Sequence, residues 1–322
     1  MLIVTGAAGF IGSNVVAALN ERGTDDILAV DNLENGRKVA NLGDLKIADY
    51  MDKDDFFERL EDGHTFPSVE AVIHEGACTS TVEWDGRYMM HNNFEYSKVL
   101  LHYCRRHAIP LQYASSAGVY GNSGVFAEDE ANERPMTIYA YSKWLFDRTV
   151  RRVLAGDGSP VAGFRYFNVY GPREGHKDFM CSAPWHFNRQ LREDGRVRVF
   201  GANETCAAGE HRRDFTHVDD VVRVKLWWLD AENRPSGVFN LGSGAARTFR
   251  EVADAVVAWH GAGEVEYIPF PDELKSVYQD FTEADLTRLR AAGYDGEFTS
   301  LEQGVGRYLE WLAQHRQGVH RA

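Results

Sequence analysis

The chain has 322 residues, 44% of them hydrophobic, enough to build the core of one large α/β domain or two smaller ones. A formal net charge of −13 repels nucleic acid and anionic membrane surfaces, so any anionic ligand needs locally placed cations. Cys78, Cys104, Cys181 and Cys206 stand apart without a CxxC pair, which argues against a zinc site or a disulfide framework. With no apolar run long enough to span a membrane and no basic leader before the first apolar residues, a soluble protein of the reducing cytoplasm is expected.

Leu2-Ile3-Val4 runs as a strand into Thr5-Gly6-Ala7-Ala8-Gly9-Phe10-Ile11-Gly12, and an amphipathic helix is predicted from Ser13 to Arg22. In such a turn Gly6 takes a backbone geometry closed to other residues, Gly9 lets a pyrophosphate approach the main chain, and Gly12 lets helix and strand pack closely. The free N–H groups and the dipole at the helix start favour the phosphates. A second strand, Ile27 to Val30, ends on Asp31 about 20 residues further on, where a carboxylate suits a ribose hydroxyl. Arg37 and Lys38 lie in the turn-rich loop beyond it and suit a 2′-phosphate, so the charges alone leave both NAD and NADP open.

Further along, Leu45 to Ala48 reads as a third strand and Asp52 to Leu60 as a helix. Glu70 to His74 reads as a fourth strand that stops in the small-residue loop Glu75-Gly76-Ala77-Cys78-Thr79. A long helix, Asn92 to Arg106, leads to a fifth strand at Leu111 to Ala114. Strands alternating with helices imply right-handed crossovers and a Rossmann-like, doubly wound parallel sheet, with ligands at its carboxyl edge. Beyond Arg165 the pattern becomes irregular, with helices expected at Pro184 to Glu193, Val218 to Leu229, Phe249 to Trp259 and Leu301 to His315. Strands are expected there at Val197 to Phe200 and Val238 to Leu241, and Glu204 to Glu210 reads as a surface loop. Residues 1–165 would bind the dinucleotide. Residues 166–322 would mainly form a smaller mixed α/β cap that binds substrate, with some segments returning to the sheet.

Strand five ends in Ser115-Ser116, and a downstream helix opens with Tyr139-Ala140-Tyr141-Ser142-Lys143. The i to i+4 spacing puts Tyr139 and Lys143 on one helical face. A phenol with a reference pKa of about 10 is a poor base unless a cation favours the phenolate, and Lys143 can supply that cation while binding the nicotinamide ribose. Ser116 would orient the same substrate oxygen. An exposed aromatic beside a solvated lysine, and a hydroxyl capping its own turn, are the plain alternatives.

The glycine turn, Ser116 and Tyr139-x-x-x-Lys143 together resemble the extended short-chain dehydrogenases that act on nucleotide sugars. His74-Glu75-Gly76-Ala77-Cys78, Glu83-Trp84-Asp85-Gly86, Phe164 to Lys177 and Tyr267-Ile268-Pro269-Phe270-Pro271 narrow the resemblance to the ADP-heptose 6-epimerases of that group. It covers nearly the whole chain. It implies an enzyme of lipopolysaccharide inner-core precursor synthesis, a homo-oligomer such as a pentamer, acting on ADP-glycero-manno-heptose. The C6″ carbon would be oxidised transiently to a ketone with bound NADP, and hydride returned to the opposite face. The resemblance places cofactor contacts on Phe10, Ile11, Asp31, Asn32, Lys38, Lys53, Glu75, Gly76, Ala77, Cys78, Thr79, Asn92, Lys143, Val169 and Lys177. Substrate contacts fall on Ser116, Asn168, His186, Phe200, Arg213 and Tyr278. Lys177 would be a second acid/base facing the other side of the substrate, with Asp178 beside it as a competing charge partner. The chain departs from the family at Asp178-Phe179-Met180-Cys181-Ser182, where a glycine is expected after the lysine. A 4-epimerase, a dehydratase or a silent dinucleotide sensor are the rival readings, and the intact Ser116, Tyr139 and Lys143 set weighs against the sensor.

Overall fold

A computed structural model describes residues 1–271 and 279–315. In chain order the first half forms β1 (Leu2–Thr5), α1 (Phe10–Glu21), β2 (Ile27–Asp31), β3 (Asp49–Asp52), α2 (Lys53–Glu61) and β4 (Ala71–His74). It continues with α3 (Gly86–Met89), a π turn over Met90–Glu95, α4 (Tyr96–Arg106), β5 (Leu111–Ser116), α5 (Ile138–Leu154) and β6 (Val161–Tyr166). The second half contributes β7 (Asn168–Tyr170), α6 (Ala183–Asp194), β8 (Arg196–Phe200), β9 (Arg212–His217), α7 (Val218–Asp230) and β10 (Gly237–Leu241). It ends with β11 (Ala246–Thr248), α8 (Phe249–His260), β12 (Glu264–Ile268), α9 (Thr287–Ala291) and α10 (Leu301–His315).

Apolar runs such as Leu2-Ile3-Val4 and Ile27-Leu28-Ala29-Val30 are buried on both faces, as strands sandwiched between helices must be. Seven strands pair in the order β10-β6-β5-β4-β1-β2-β3, all parallel, with the polar-ended β3 at one edge. Phe56 and Leu60 of α2, Leu100 and Leu101 of α4 and Phe146 of α5 pack on one face. On the other, Val15, Val16 and Leu19 of α1 meet Val222 and Leu226 of α7. The sheet is therefore doubly wound and Rossmann-like. Register aligns Thr5 with Val30 and His74, and Ser116 with Tyr166, so the residues that follow each strand stand along one edge.

Two small sheets, β11-β9-β7 and β12-β8, lie outside this frame. Their own core joins Phe187 and Leu191 of α6, Val197 and Val199 of β8, Val252 and Val256 of α8, and Leu309 of α10. The mixed α/β character expected of this part is present, and β10 returns to the main sheet with Leu241 opposite Tyr166.

Several expectations need correction. The third strand is Asp49–Asp52, not Leu45 to Ala48. Leu45 and Ile47 pack on the core from a loop, so their apolar character reflects burial without sheet pairing. α1 begins at Phe10, three residues earlier than its amphipathic pattern suggests, because the glycines of its first turn carry no periodicity. The long helix expected from Asn92 to Arg106 is continuous but begins earlier, at Gly86, with α3 and the π turn leading into α4. The short strands β7, β9, β11 and β12 were not legible.

Candidate active site

The glycine turn shows why its residue types are fixed. Gly6 has φ +67°, and a Cβ there would lie 2.6 Å from the Gly76 backbone N; one on Gly12 would lie 2.1 Å from the Gly6 carbonyl oxygen. α1 opens at Gly9 with no side-chain cap and no acidic residue in its first turn, leaving that turn's N–H groups without a side-chain acceptor. Phe10, Ile11 and Gly12 line a cavity of about 390 Å³. Uncapped amides at a cavity wall fit a dinucleotide's pyrophosphate.

At the end of β2, Asp31 accepts from the Ala8 N–H at 2.8 Å and from Lys38 Nζ at 2.9 Å, and Lys38 also reaches Asn32 Oδ1 at 2.9 Å. Acid and cation, which pointed to different cofactors in the sequence, therefore form one ion pair at the cavity wall. Arg37 does not join them. Its side chain, 66% exposed, pairs with Asp178 at 3.1 Å and does not line the cavity. The competing partner expected for Lys177 is thereby turned toward Arg37.

Gly6, Gly9, Asp31, Asn32, Lys38, Lys53, Glu75, Gly76, Ala77, Cys78, Thr79, Asn92, Lys143 and Lys177 all line this first cavity with the α1 residues. Asn92 and Asn93 arrive on the π turn. Asn92 accepts from Lys53 Nζ at 3.3 Å, while buried Asn93 accepts from the Cys78 N–H at 2.8 Å and donates to the Cys78 carbonyl at 2.9 Å. Asn93 also reaches Ser142 Oγ at 3.3 Å, tying the Glu75 to Thr79 loop to the helix that carries Lys143. Glu75 is held from below: Lys225 pairs with it at 2.6 Å, both side chains buried, and the Tyr166 hydroxyl donates to its carboxylate at 2.9 Å. Burial pushes the Lys225 amine down, and Glu75 opposes that shift. Asn93 and Lys225 carry no motif in the sequence, and Tyr166, though inside the Phe164 to Lys177 stretch, has no role legible there, because the meaning of all three lies in contacts across the fold.

Lys143 lies one helical turn after Tyr139 on α5, its amine donating to the Ala114 carbonyl at 2.8 Å. Burial pushes its pKa down to about 8. Burial likewise pushes the half-buried Tyr139 phenol up, against the Ser116 hydroxyl, which hydrogen-bonds it and lowers it. The protein's own groups thus leave Tyr139 protonated.

A second cavity of about 580 Å³ adjoins the first. Ser116, Asn168, Val169, His186 and Phe200 line it, so Val169 stands on this side and not with the cofactor contacts. Tyr139, Tyr166, Lys177 and Met180 line both cavities. Arg213 does not line either cavity; it is buried in β9 with its guanidinium 5.8 Å from the ring of Phe249, which does line the second. Tyr278 lies outside the described residues. Among the described residues no group of three His, Cys, Asp or Glu side chains is placed to hold a metal, and no helix is long and apolar enough to cross a membrane.

A family model for NAD dependent epimerases and dehydratases matches residues 2–242. The chain belongs to that family. Its fold is similar to ADP-L-glycero-D-manno-heptose-6-epimerase of Helicobacter pylori, at 27% identity and TM-score 0.83 over 97% of this chain and 96% of that one. It is similar to a comparable degree to UDP-glucose 4-epimerase of Thermotoga maritima, solved with UDP-glucose, at 28% identity and TM-score 0.79 over 98% and 99% of the two chains. The Thermus thermophilus UDP-glucose 4-epimerase, solved with NAD, shares 26% identity at TM-score 0.77 over 99% of both. As a member of the epimerase/dehydratase family, this chain unites the glycine turn, Ser116, Tyr139 and Lys143 at the carboxyl edge of its sheet.

Proposed function

We propose that this protein is a nucleotide-sugar epimerase that retains NADP and inverts C6″ of an ADP-glycero-manno-heptose. The observation that carries the reading is the wall common to the two cavities, which presents Tyr139 and Lys177, two groups able to exchange a proton, at the place where cofactor and sugar would meet. The similarity to the heptose epimerase supports the substrate, and the motif stretches from His74 to Cys78 and Phe164 to Lys177 point the same way. A bound nicotinamide dinucleotide supplies a reversible hydride acceptor.

The chain's residues do the remainder. The first turn of α1 would hold the pyrophosphate, and Lys38 beside Asp31 would hold the ribose end, its amine favouring a 2′-phosphate. With the positive ring of a bound oxidised nicotinamide and the Lys143 ammonium beside it, Tyr139 would give up its own proton and, as phenolate, take that of the sugar hydroxyl, which Ser116 would orient. After the sugar ketone turns over, its oxygen no longer faces Tyr139. Lys177 would then exchange the proton on the other side. In this reading residues 1–165 bind the cofactor and the rest mainly the sugar nucleotide, in a cytoplasmic homo-oligomer serving lipopolysaccharide synthesis.

The test is direct. Denaturing the purified protein should release NADP, and the intact protein should interconvert the two C6″ epimers of ADP-heptose, followed by proton NMR. Release of NAD alone, or conversion of UDP-glucose at C4 with no action on ADP-heptose, would overturn it.

A further inference from the structure

The turn that carries Lys177 contains a carboxylate with no part in the mechanism above. Glu174 is 0% exposed, and the donors that reach it are neutral. Oε2 accepts from the Ser182 N–H at 2.6 Å; Oε1 accepts from the Ser182 hydroxyl at 2.6 Å and the Gly171 N–H at 3.4 Å. Burying a carboxylate is costly unless hydrogen bonds replace its water. Here two short bonds and the start of α6 do so, because Ser182 is the N-cap of that helix and its dipole favours a negative charge.

These contacts join the two ends of one loop. Gly171 closes β7 and Ser182 opens α6, so Glu174 draws together residues eleven apart in sequence, while its carbonyl accepts from the Lys177 N–H at 2.9 Å. The loop carries Lys177 and Met180 to the wall shared by both cavities. Its backbone is not relaxed, since Arg173 has φ +70° and Asp178 φ +50°, both costly for residues with a Cβ. An outer strap adds to the closure: buried Arg173 pairs with Asp44 at 2.6 Å, and Asn41 donates to the Arg173 carbonyl at 2.9 Å. The Glu174 carboxylate adds to that strap the bonds that join Gly171 to Ser182 and oppose relaxation of the strain from the base of the loop.

We propose that Glu174 is the positioning residue for Lys177, its buried carboxylate closing the 171–182 loop and so fixing where the Lys177 amine stands in the wall shared with Tyr139. The inference rests on the proposed role of Lys177 in epimerisation. In the holoprotein, Glu174→Ala should lower turnover at saturating ADP-heptose tenfold or more while the amount of nucleotide released on denaturation is unchanged. In a Lys177→Met background the same substitution should cost less than twofold. Glu174→Gln, which keeps a carbonyl for the Ser182 N–H and an amide for its hydroxyl while giving up the longer Gly171 bond, should recover part of the turnover. A Glu174→Ala loss of equal size with and without Lys177, or no recovery by Gln, would overturn the proposal. Trypsin cleavage after Lys177 reads the loop without any substrate: it should be at least tenfold faster in Glu174→Ala than in wild type or Glu174→Gln, and equal rates would also overturn it. A wild-type protein inert toward ADP-heptose would instead defeat the proposed function, and the cleavage comparison would still decide whether Glu174 closes the loop.

Discussion

The two adjoining cavities share Tyr139 and Lys177 but are built by different rules. The first is framed largely by the carboxyl ends of parallel strands held in register, with Gly6, Asp31, Glu75 and Ser115 each within a residue of a strand end. The second takes its far wall from loops, from α6 and from the short strand β8, with Asn168, His186 and Phe200 gathered from unrelated elements. A sheet edge places its ligand groups by a backbone rule that any sequence obeying the strand-helix alternation inherits. A cap places them by contacts between particular side chains and distant backbone, such as those of Glu174 with Ser182.

The comparison can be broken where the cavities meet. Tyr139→Phe should keep the fold and the bound cofactor and lose about a hundredfold or more in turnover, because the phenol that exchanges the proton is gone. Near-normal turnover, measured at saturating ADP-heptose, would take the shared wall out of the chemistry. Lys177→Met is the next largest, with a loss on the order of tenfold to a hundredfold in turnover. With an analogue bearing an aldehyde at C6″, dismutation to acid and alcohol should respond differently to the Tyr139 and Lys177 substitutions. A change confined to KM would leave Tyr139 working alone.

Two smaller effects sharpen the description of the first cavity. Lys38→Ala should weaken NADP about tenfold while scarcely touching NAD, as removal of a charged phosphate partner would. Arg37→Ala should do less, since Arg37 is engaged with Asp178 at the surface. Calorimetry with both nucleotides checks this, and a larger loss at Arg37 would mean that it swings into the site. The last concerns pH. Burial holds His74 down to about 3, between Thr5 Oγ1 at 2.6 Å and Ser97 Oγ at 2.8 Å. The unfolded chain takes up this proton below about pH 6.5 and the folded one does not, so stability is whole above 6.5 and is lost as pH falls toward 3. At pH 5 the part of the loss due to His74 should be about 2 kcal/mol, read by urea titration as the difference between wild type and His74→Gln, with His176, also held down by burial, adding its own share to both.

The difference between the cavities also explains what the sequence made legible. The glycine turn, the strand ending on Asp31 and the Tyr139 and Lys143 pair could be read because each follows from local spacing. β3 was misplaced because Leu45 and Ile47 are apolar for packing, while Asp49–Asp52, the true edge strand, has polar ends. Arg37 and Lys38 are neighbours in sequence, yet one faces the cavity and the other Asp178, 141 residues away. No periodicity encodes such a partner. Glu174, Asn93 and Lys225 stayed hidden for the same reason, their meaning residing in contacts made across the fold.

The π turn at Met90–Glu95 carries a consequence for how this wall can vary. A π turn amounts to an α-helix with one additional residue, so a single deletion there would restore regular winding without unravelling α4. The flanks would keep their faces, because the turn absorbs its extra residue locally, while the residues inside it would shift. Asn92 would be displaced from the cavity wall, and Asn93 from its bonds to Cys78 and Ser142, so the Cys78 loop would lose its tether to α5. Length variation elsewhere on a surface helix is commonly absorbed by its ends. At this point one codon separates a helix that carries Asn92 to the cavity wall from one that folds without doing so.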